Sequence, residues 1–168
     1  MTDDKLIERI RDGDEHSAEE LITRYYSAIL RYCRLHCVSD EMAEDLTQET
    51  FLRVFKNLPM YRKRDRFRSW LYTIANHVCV DESRKMTWQV LDEEPTADCK
   101  AFSELEDRDE LERLMCRLSP EQREAVILKF GEQLSYKEIA KITDCTLRTA
   151  QSRVRCALEI MRGKGWRR

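Results

Sequence analysis

Apolar residues recur along this chain with the spacing of amphipathic helices rather than the alternation of strands. In the first half, this spacing predicts helices over residues 2–11, 17–37, 39–58 and 69–84. The same period returns after residue 105, at Leu105, Leu111, Leu114, Met115 and Leu118. Only four glycines and three prolines interrupt the chain. The pattern therefore predicts an all-α protein.

Capping residues mark the predicted helix starts. Ser17 with Glu20, and Ser135 with Glu138, have the spacing of a capping box, in which each side chain satisfies a backbone donor of the first turn. The segment Ser119-Pro120 starts another helix, with serine as cap and proline at the first helical position.

A stretch without hydrophobic periodicity separates the two helical blocks. Residues 86–104 contain Pro95 and are rich in acidic side chains, which predicts a flexible linker. Residues 1–85 and 105–168 would then form separate domains. The predicted fold is all-α, with two small helical bundles joined by a flexible acidic linker.

Residues 135–155 predict a helix-turn-helix. Asp144 stands at the tight turn, and Thr146 can cap the second helix. The apolar stripe of that helix comprises Leu147, Ala150, Val154, Leu158 and Met161. The opposite stripe comprises Arg148, Gln151, Ser152 and Arg155, types that suit base edges and phosphates. We call this second helix the recognition helix, and it makes DNA the first partner to test.

The net charge of −2 hides a strong segregation of charge. Residues 53–85 carry nine basic and three acidic side chains, and residues 146–168 carry seven and one. Residues 92–112 carry ten acidic and two basic side chains. Two basic blocks separated by an acidic connector indicate a chain that grips nucleic acid at two places. Two solvated helix faces and a disordered linker would explain the charge alone, but not together with the helix-turn-helix.

Other chemistry finds little support. Seven scattered cysteines, an odd number, argue against a disulfide framework. Cys33, His36 and Cys37 fall within one helical turn, but no second Cys/His cluster completes a tetrahedral site, so neither metal nor cofactor is predicted. Dispersed histidines and the lack of a Gly-rich phosphate loop disfavour an enzyme. No apolar run approaches the roughly 18 residues of a membrane span, which predicts a cytoplasmic location.

Three segments together resemble one family. They are residues 45–53 (DLTQETFLR), residues 67–75 (FRSWLYTIA), and residues 118–123 (LSPEQR) followed by 136–140 (YKEIA) and the recognition helix. In this order, the segments resemble bacterial RNA polymerase sigma factors of the extracytoplasmic-function (ECF) type, in the sigma-70 family, over about residues 17–162. The resemblance implies a non-catalytic subunit that binds core RNA polymerase and directs it to promoters.

The resemblance also implies partners and a division of labour. Residues 1–85 would dock on the clamp coiled coil of core polymerase, read the −10 element and help separate the strands. Residues 105–168 would read the −35 element as duplex, with the polymerase flap as a further contact. An inhibitory anti-sigma protein, soluble or membrane-anchored, is the third implied partner beside core polymerase and promoter DNA.

The implied site residues fall into three sets. The polymerase-docking set is Asp45, Gln48, Glu49 and Arg53. The −10 set lies in and after a basic segment, residues 60–68, and comprises Tyr61, Arg62, Lys63, Arg64, Arg66, Phe67, Arg68 and His77. The −35 set is Thr146, Arg148, Thr149, Gln151, Ser152, Arg153 and Arg155.

Roles within these sets follow from side-chain chemistry. The arginines and lysine of the basic segment would follow a DNA backbone, and Tyr61 or Phe67 would replace lost base stacking. Trp70 is assigned to the core. His77 stands where the family commonly has Asn. One alternative is a free-standing DNA-binding regulator, which would leave residues 45–53 unexplained.

Overall fold

The computed structural model describes residues 1–37, 39–62, 66–89 and 108–163, with side chains omitted at 86–89, 108–110 and 112. Within those ranges every regular element is helical. The chain forms two compact units, one within residues 1–95 and one within residues 96–168. This architecture confirms the all-α prediction. The predicted linker lies mostly outside the described residues, so the domain limits at 85 and 105 stay a prediction.

The first unit packs four helices around one core. They are α1 (Asp3–Arg11), α2 (Glu15–Arg34), α3 (Asp40–Asn57) and α4 (Phe67–Gln89), with a short 3-10 turn at Leu58–Met60. Every helix contributes apolar side chains that are almost fully buried, among them Leu6, Ile7, Leu21, Ile29, Tyr32, Val54, Leu71 and Tyr72. The apolar faces of the four helices therefore pack into a single core. This packing determines which faces of α3 and α4 are exposed.

The start of α2 corrects one prediction. The helix begins at Glu15 and not at Ser17, because the Asp14 side chain accepts hydrogen bonds from the backbone N–H groups of His16 and Ser17. The Ser17 hydroxyl is buried and donates to Asp14 at 2.8 Å. Ser17 therefore supports the cap and does not form the predicted capping box with Glu20.

The fourth helix is longer than predicted at both ends. It begins at Phe67 rather than Ser69 and continues to Gln89, into the segment expected to be linker. Phe67 and Arg68, which were expected in a loop, therefore belong to the first turn of α4. By contrast, α3 ends before Pro59 as predicted, and Ser39 caps its start.

The second unit contains α5 (Arg108–Cys116), α6 (Pro120–Val126), a π-helical turn at Ile127–Gly131, α7 (Tyr136–Ile142) and α8 (Leu147–Met161). Capping boxes start α6 and α7 at Ser119 and Ser135. Its buried core includes Met115, Leu118, Leu128, Ile139, Ile142, Ala150, Val154 and Ala157. Two residues expected in apolar stripes, Leu111 and Leu147, are instead 55% and 40% exposed, because each lies near the start of its helix, beyond the packed part.

The turn between α7 and α8 has the predicted geometry. Asp144 adopts a φ of +48°, in the left-handed region that aspartate tolerates better than most residues. Thr146 then caps α8 by accepting from the Thr149 backbone N–H at 3.1 Å. The second unit is therefore a helix-turn-helix with α8 as its recognition helix.

Candidate functional site

One face of α3 carries the predicted docking residues. Asp45 and Gln48 are exposed, and Glu49 and Arg53 are half-buried. The three- and four-residue spacings place them along one side of the helix. The structure therefore gathers this set on a single surface, which we call the α3 surface.

Arg53 ties this surface to the neighbouring helix. Its guanidinium donates to Glu49 on α3 at 2.7 Å and to Asp81 on α4 at 2.8 Å. The hydrogen bond from Arg53 lowers the pKa of the Asp81 carboxyl below its ordinary value, and nearby positive charge acts in the same direction. Arg53 is thus engaged within the unit and holds two carboxylates in place.

Leu52 is the residue of this surface that sequence reasoning missed. Its side chain is 66% exposed. It lies four residues after Gln48 and seven after Asp45, and so shares their side of α3. A single exposed leucine is common on soluble proteins, so Leu52 is of interest here only because it lies beside the docking residues that the resemblance implies.

The aromatic residues of the basic segment are not free to stack on bases. Tyr61 and Phe67 are only 5% and 4% exposed. Their ring centroids lie 5.7 Å apart, and both rings contact Trp70. Phe67 also meets Tyr25 of α2 edge-to-face at 5.5 Å. The suggested stacking role of Tyr61 and Phe67 is therefore corrected, because tertiary packing uses both rings to support the segment.

The polar members of the −10 set do lie at the surface. Arg62, Arg66, Arg68 and His77 are exposed. Lys63 and Arg64 lie outside the described residues. The exposed apolar side chain here is Met60, 80% exposed at the end of the 3-10 turn. The sequence pattern did not indicate Met60, because it does not show that the nearby aromatic side chains are buried. Once they are buried, Met60 is the apolar side chain left exposed.

The recognition helix presents the predicted polar face. Arg148, Gln151 and Arg155 are exposed, and Ser152 and Arg153 are half-buried. Neither Arg148 nor Arg155 forms an ion pair with any described residue. Opposite this face, Ala150, Val154 and Ala157 are buried at 0–1% exposure. The helix is therefore anchored by one face and leaves two arginine charges facing solvent.

Three members of the −35 set also have structural contacts. The Thr146 and Thr149 hydroxyls lie 2.8 Å apart within the cap of α8. Arg153 lies close enough to Glu121 on α6 to help lower the pKa of that carboxyl, after hydrogen bonds from the Glu121 backbone and Ser119. Thr146, Thr149 and Arg153 therefore have contacts within the second unit. Arg148, Gln151 and Arg155 are exposed.

Two of the cysteines that the structure describes lie close together. Within the described ranges, no group of three His, Cys, Asp or Glu side chains is arranged to hold a metal ion. Cys33 and Cys79 are buried with their sulfurs 4.0 Å apart, and the contact with Cys79 lowers the pKa of Cys33. Among the residues that the structure describes, Cys33, Cys37, Cys79, Cys145 and Cys156 are free. In the described part of the chain, no helix is long and apolar enough to cross a membrane.

The fold and these surfaces define a class: a two-unit helical protein whose second unit is a helix-turn-helix. Comparison with known families then places it. Sigma-70 region 2 matches residues 21–89, and Sigma-70, region 4 matches residues 108–161. The chain belongs to the sigma-70 family and is an RNA polymerase sigma factor of the ECF type.

Curated relatives align over nearly the whole chain. The sequence is 29% identical to the ECF RNA polymerase sigma-E factor of Haemophilus influenzae over 182 aligned positions, covering 98% of this chain and 95% of that protein. It is also 29% identical to the RNA polymerase sigma-H factor of Pseudomonas aeruginosa, covering 90% of this chain and 88% of that protein.

Solved structures share the fold. CnrH in complex with the cytosolic domain of CnrY superposes with a TM-score of 0.68 at 17% identity, covering 95% of this chain and 94% of that chain. The Bartonella quintana sigma factor RpoE, in complex with the anti-sigma factor NepR, gives 0.69 at 23% identity, covering 86% and 93%.

Proposed function

We propose that this sigma factor divides its work between three surfaces: the α3 surface binds core RNA polymerase, the basic segment opens the −10 element, and α8 reads the −35 element. The observation that carries the proposal is the pairing of a polar, leucine-bearing α3 surface in one unit with an arginine-bearing recognition helix in the other. A free-standing regulator would need only the second of these.

Polymerase docking is assigned to Asp45, Gln48 and Leu52. A leucine ringed by polar groups suits a protein partner, because an interface core excludes water while its rim stays polar. Glu49 and Arg53 support this surface, because Arg53 donates hydrogen bonds both to Glu49 and to Asp81 on α4. We assign the partner as the clamp coiled coil of core polymerase, on the strength of the family's motif at residues 45–53.

Strand separation at −10 is assigned to the basic segment and the adjoining face of α4. Arg62, Arg66 and Arg68 would follow the phosphate backbone. Met60 would supply the apolar contact, since methionine is among the side chains that wedge between unstacked bases. His77 lies seven residues after Trp70, a spacing that places both on one side of α4, where a base released from the duplex would lie.

Reading of the −35 element is assigned to α8. Arg148 and Arg155 would contact phosphate or guanine, and Gln151 would contact a base edge; a bidentate base contact is worth about 1–3 kcal/mol of discrimination. Ser152, Arg153, Thr146 and Thr149 would contribute at the margin of the helix. The flap of core polymerase is the proposed protein neighbour of this unit.

Further partners and properties follow from family membership. We propose that an anti-sigma protein, soluble or membrane-anchored, holds the factor inactive, as the complexed structural relatives suggest. The protein would act in the cytoplasm, where its polymerase and DNA lie, and would catalyse no reaction itself. The family contains non-catalytic polymerase subunits, which supports this assignment.

Binding with and without polymerase tests the proposal. The purified chain should co-migrate with bacterial core polymerase on gel filtration at low salt. It should protect promoter DNA from nuclease only when core polymerase is present. Protection of an operator by the chain alone, with no association with core polymerase, would instead identify a free-standing regulator.

A further inference from the structure

The first helix contacts the start of the basic segment directly and its far end through Tyr25 of α2, although it precedes the part of the chain that matches Sigma-70 region 2. The match begins at residue 21, whereas α1 spans Asp3–Arg11. Leu6 and Ile7 anchor α1 in the core at 0% and 2% exposure. A helix fixed in this way can hold a neighbouring loop in place.

Arg11 makes the contact at the start of the segment. Its Nη2 donates to the carbonyl oxygens of Leu58, at 2.8 Å, and Tyr61, at 2.5 Å. These carbonyls flank Met60 in the 3-10 turn, which is closed by a hydrogen bond from the Tyr61 N–H to the Leu58 carbonyl at 3.2 Å. A charged donor makes stronger hydrogen bonds than a neutral one, so Arg11 adds to the packing of the buried Leu58 and Tyr61 in holding the turn that exposes Met60.

A second contact reaches the other end of the segment through Tyr25. The Tyr25 hydroxyl donates to Asp3 at 2.6 Å, and Arg24 donates to the same carboxylate at 2.7 Å. The Tyr25 ring meets Phe67, and the Arg68 guanidinium carbon lies 6.0 Å from the ring centroid. Burial, followed by the bond to Asp3, raises the pKa of Tyr25 to about 12, so its hydroxyl remains a donor well into the alkaline range.

We propose that α1 is a brace for promoter opening, in which Arg11 is a positioning residue that holds the Leu58–Tyr61 turn so that Met60 meets the DNA from a backbone already held in place. The inference rests on the proposed role of this segment at −10. Its physical basis is pre-organisation: a backbone ordered before DNA arrives adds no ordering cost when the strand is captured.

Direct phosphate binding by Arg11 is the competing explanation, and salt dependence separates the two. Both carbonyl contacts are made by Nη2, so replacing Arg11 removes both hydrogen bonds to the turn at once. If Arg11 served as a phosphate contact, its loss would reduce the slope of log affinity against log salt by about 0.9. A brace predicts no change in that slope.

The test uses holoenzyme assembled from core polymerase and the full chain, on a promoter with a mapped start site. We compare Arg11→Gln with Arg9→Gln, which removes the same charge from an exposed position in the last turn of α1. Permanganate reactivity of −10 thymines measures strand opening. Loss of the charged hydrogen bonds should lower the open fraction about tenfold for Arg11→Gln, while Arg9→Gln behaves as wild type.

Two further measurements exclude a general loss of structure. The affinity of Arg11→Gln for core polymerase should equal that of wild type, and a template already unpaired at −10 should restore most of its activity. A defect that persists on the unpaired template, or a parallel fall in core affinity, would overturn the inference. So would a salt slope lowered by one phosphate contact.

The double variant Arg62→Ala/Arg66→Ala separates failure of this inference from failure of the proposed function. If Arg11→Gln opens the promoter normally while the double variant does not, the brace is wrong and the −10 assignment stands. If the double variant also opens the promoter normally, the assignment of the basic segment itself is wrong.

Discussion

Charged side chains are used in opposite ways by the α3 surface and the recognition helix. On α3, Arg53 lies between Glu49 and Asp81, so its charge is neutralised within the first unit. On α8, Arg148 and Arg155 have no ion-pair partner among the residues that the structure describes. Both surfaces appear in the sequence as charged helix faces, yet only the second leaves its arginine charges open.

This difference matches the two kinds of partner. A protein surface is recognised by shape and by buried apolar contacts, so charges that are already paired within the unit need no partner from the other protein. A nucleic acid is a dense array of phosphates, and unpaired arginines gain from the release of its counterions. We therefore expect DNA binding to be strongly salt-dependent and polymerase docking much less so.

The largest expected effect comes from removing the two open charges. Arg148→Ala combined with Arg155→Ala should lower the affinity of holoenzyme for promoter DNA on the order of 100-fold at low salt, and reduce the salt slope by about 1.8 for two lost phosphate contacts. Filter binding or anisotropy across a salt series measures both. Arg113→Ala with Arg117→Ala removes the same charge from exposed positions near α5 and is the control; an equal loss in the control would contradict the assignment.

A smaller effect is expected at the α3 surface. Leu52→Ala should weaken binding to core polymerase about tenfold, the scale of a buried interface contact, and Gln48→Ala should act in the same direction. Fluorescence titration of labelled chain with core polymerase measures the change at two salt concentrations. Ile160→Ala, another exposed aliphatic residue, controls for truncation. If Leu52→Ala changed the salt dependence of the affinity for core polymerase, Leu52 would act through neighbouring charges and not through an apolar contact.

The paired charges themselves should contribute modestly to stability. Arg53→Ala should lower the free energy of unfolding by about 1 kcal/mol at low salt, since both ion pairs are partly exposed to solvent. The loss should shrink at high salt because screening weakens surface pairs. Urea unfolding followed by circular dichroism measures it, with Arg53→Lys as the conservative control. No loss at low salt would mean that Arg53 is not the link between α3 and α4.

The smallest effect concerns acid pH. Because the folded pKa of Asp81 is lowered, its ion pair contributes stability above the unfolded value, near 3.8, and that contribution is lost as pH falls through the folded value. The stability difference between wild type and Arg53→Ala should therefore narrow below about pH 4. Unfolding midpoints of both proteins at pH 7 and in acid give the comparison. A difference that stays constant would show that Asp81 does not titrate with the pair.

Local features were predictable because the determining atoms lie within a few residues of one another. The capping boxes at Ser119 and Ser135 and the left-handed turn at Asp144 need no information beyond their own segment. The helical period also predicted the burial of Ala150 and Val154 on α8, whereas Leu158 and Met161 of the same stripe are half-buried. At the start of α2, Asp14 and Ser17 were both possible caps, and the sequence pattern favoured Ser17. That prediction was wrong, because the Ser17 hydroxyl donates a hydrogen bond to Asp14, which is the cap.

Features that depend on distant parts of the chain were not predictable from the pattern. Tyr61 and Phe67 are residue types that can stack on DNA bases, but their rings pack within the unit. Phe67 contacts Tyr25 of α2, and Tyr61 contacts Trp70 of α4. The link from Arg53 to Asp81 spans 28 residues, and the links from Arg11 to the 3-10 turn span 47 and 50. Exposed Leu52 and Met60 likewise emerge only once the helices have packed. The functional surfaces are thus placed by tertiary contacts, although their residue types were visible in the sequence.

Transcription with start-site mapping tests the central claim, that the two units serve one polymerase. Core polymerase is incubated with genomic fragments, with and without the purified chain, and transcript ends are mapped. We predict start sites that appear only with the chain and share one sequence near −10 and another near −35, and that are lost with Arg148→Ala/Arg155→Ala. The absence of any chain-dependent start site, from a chain that is folded and free of inhibitor, would contradict the account.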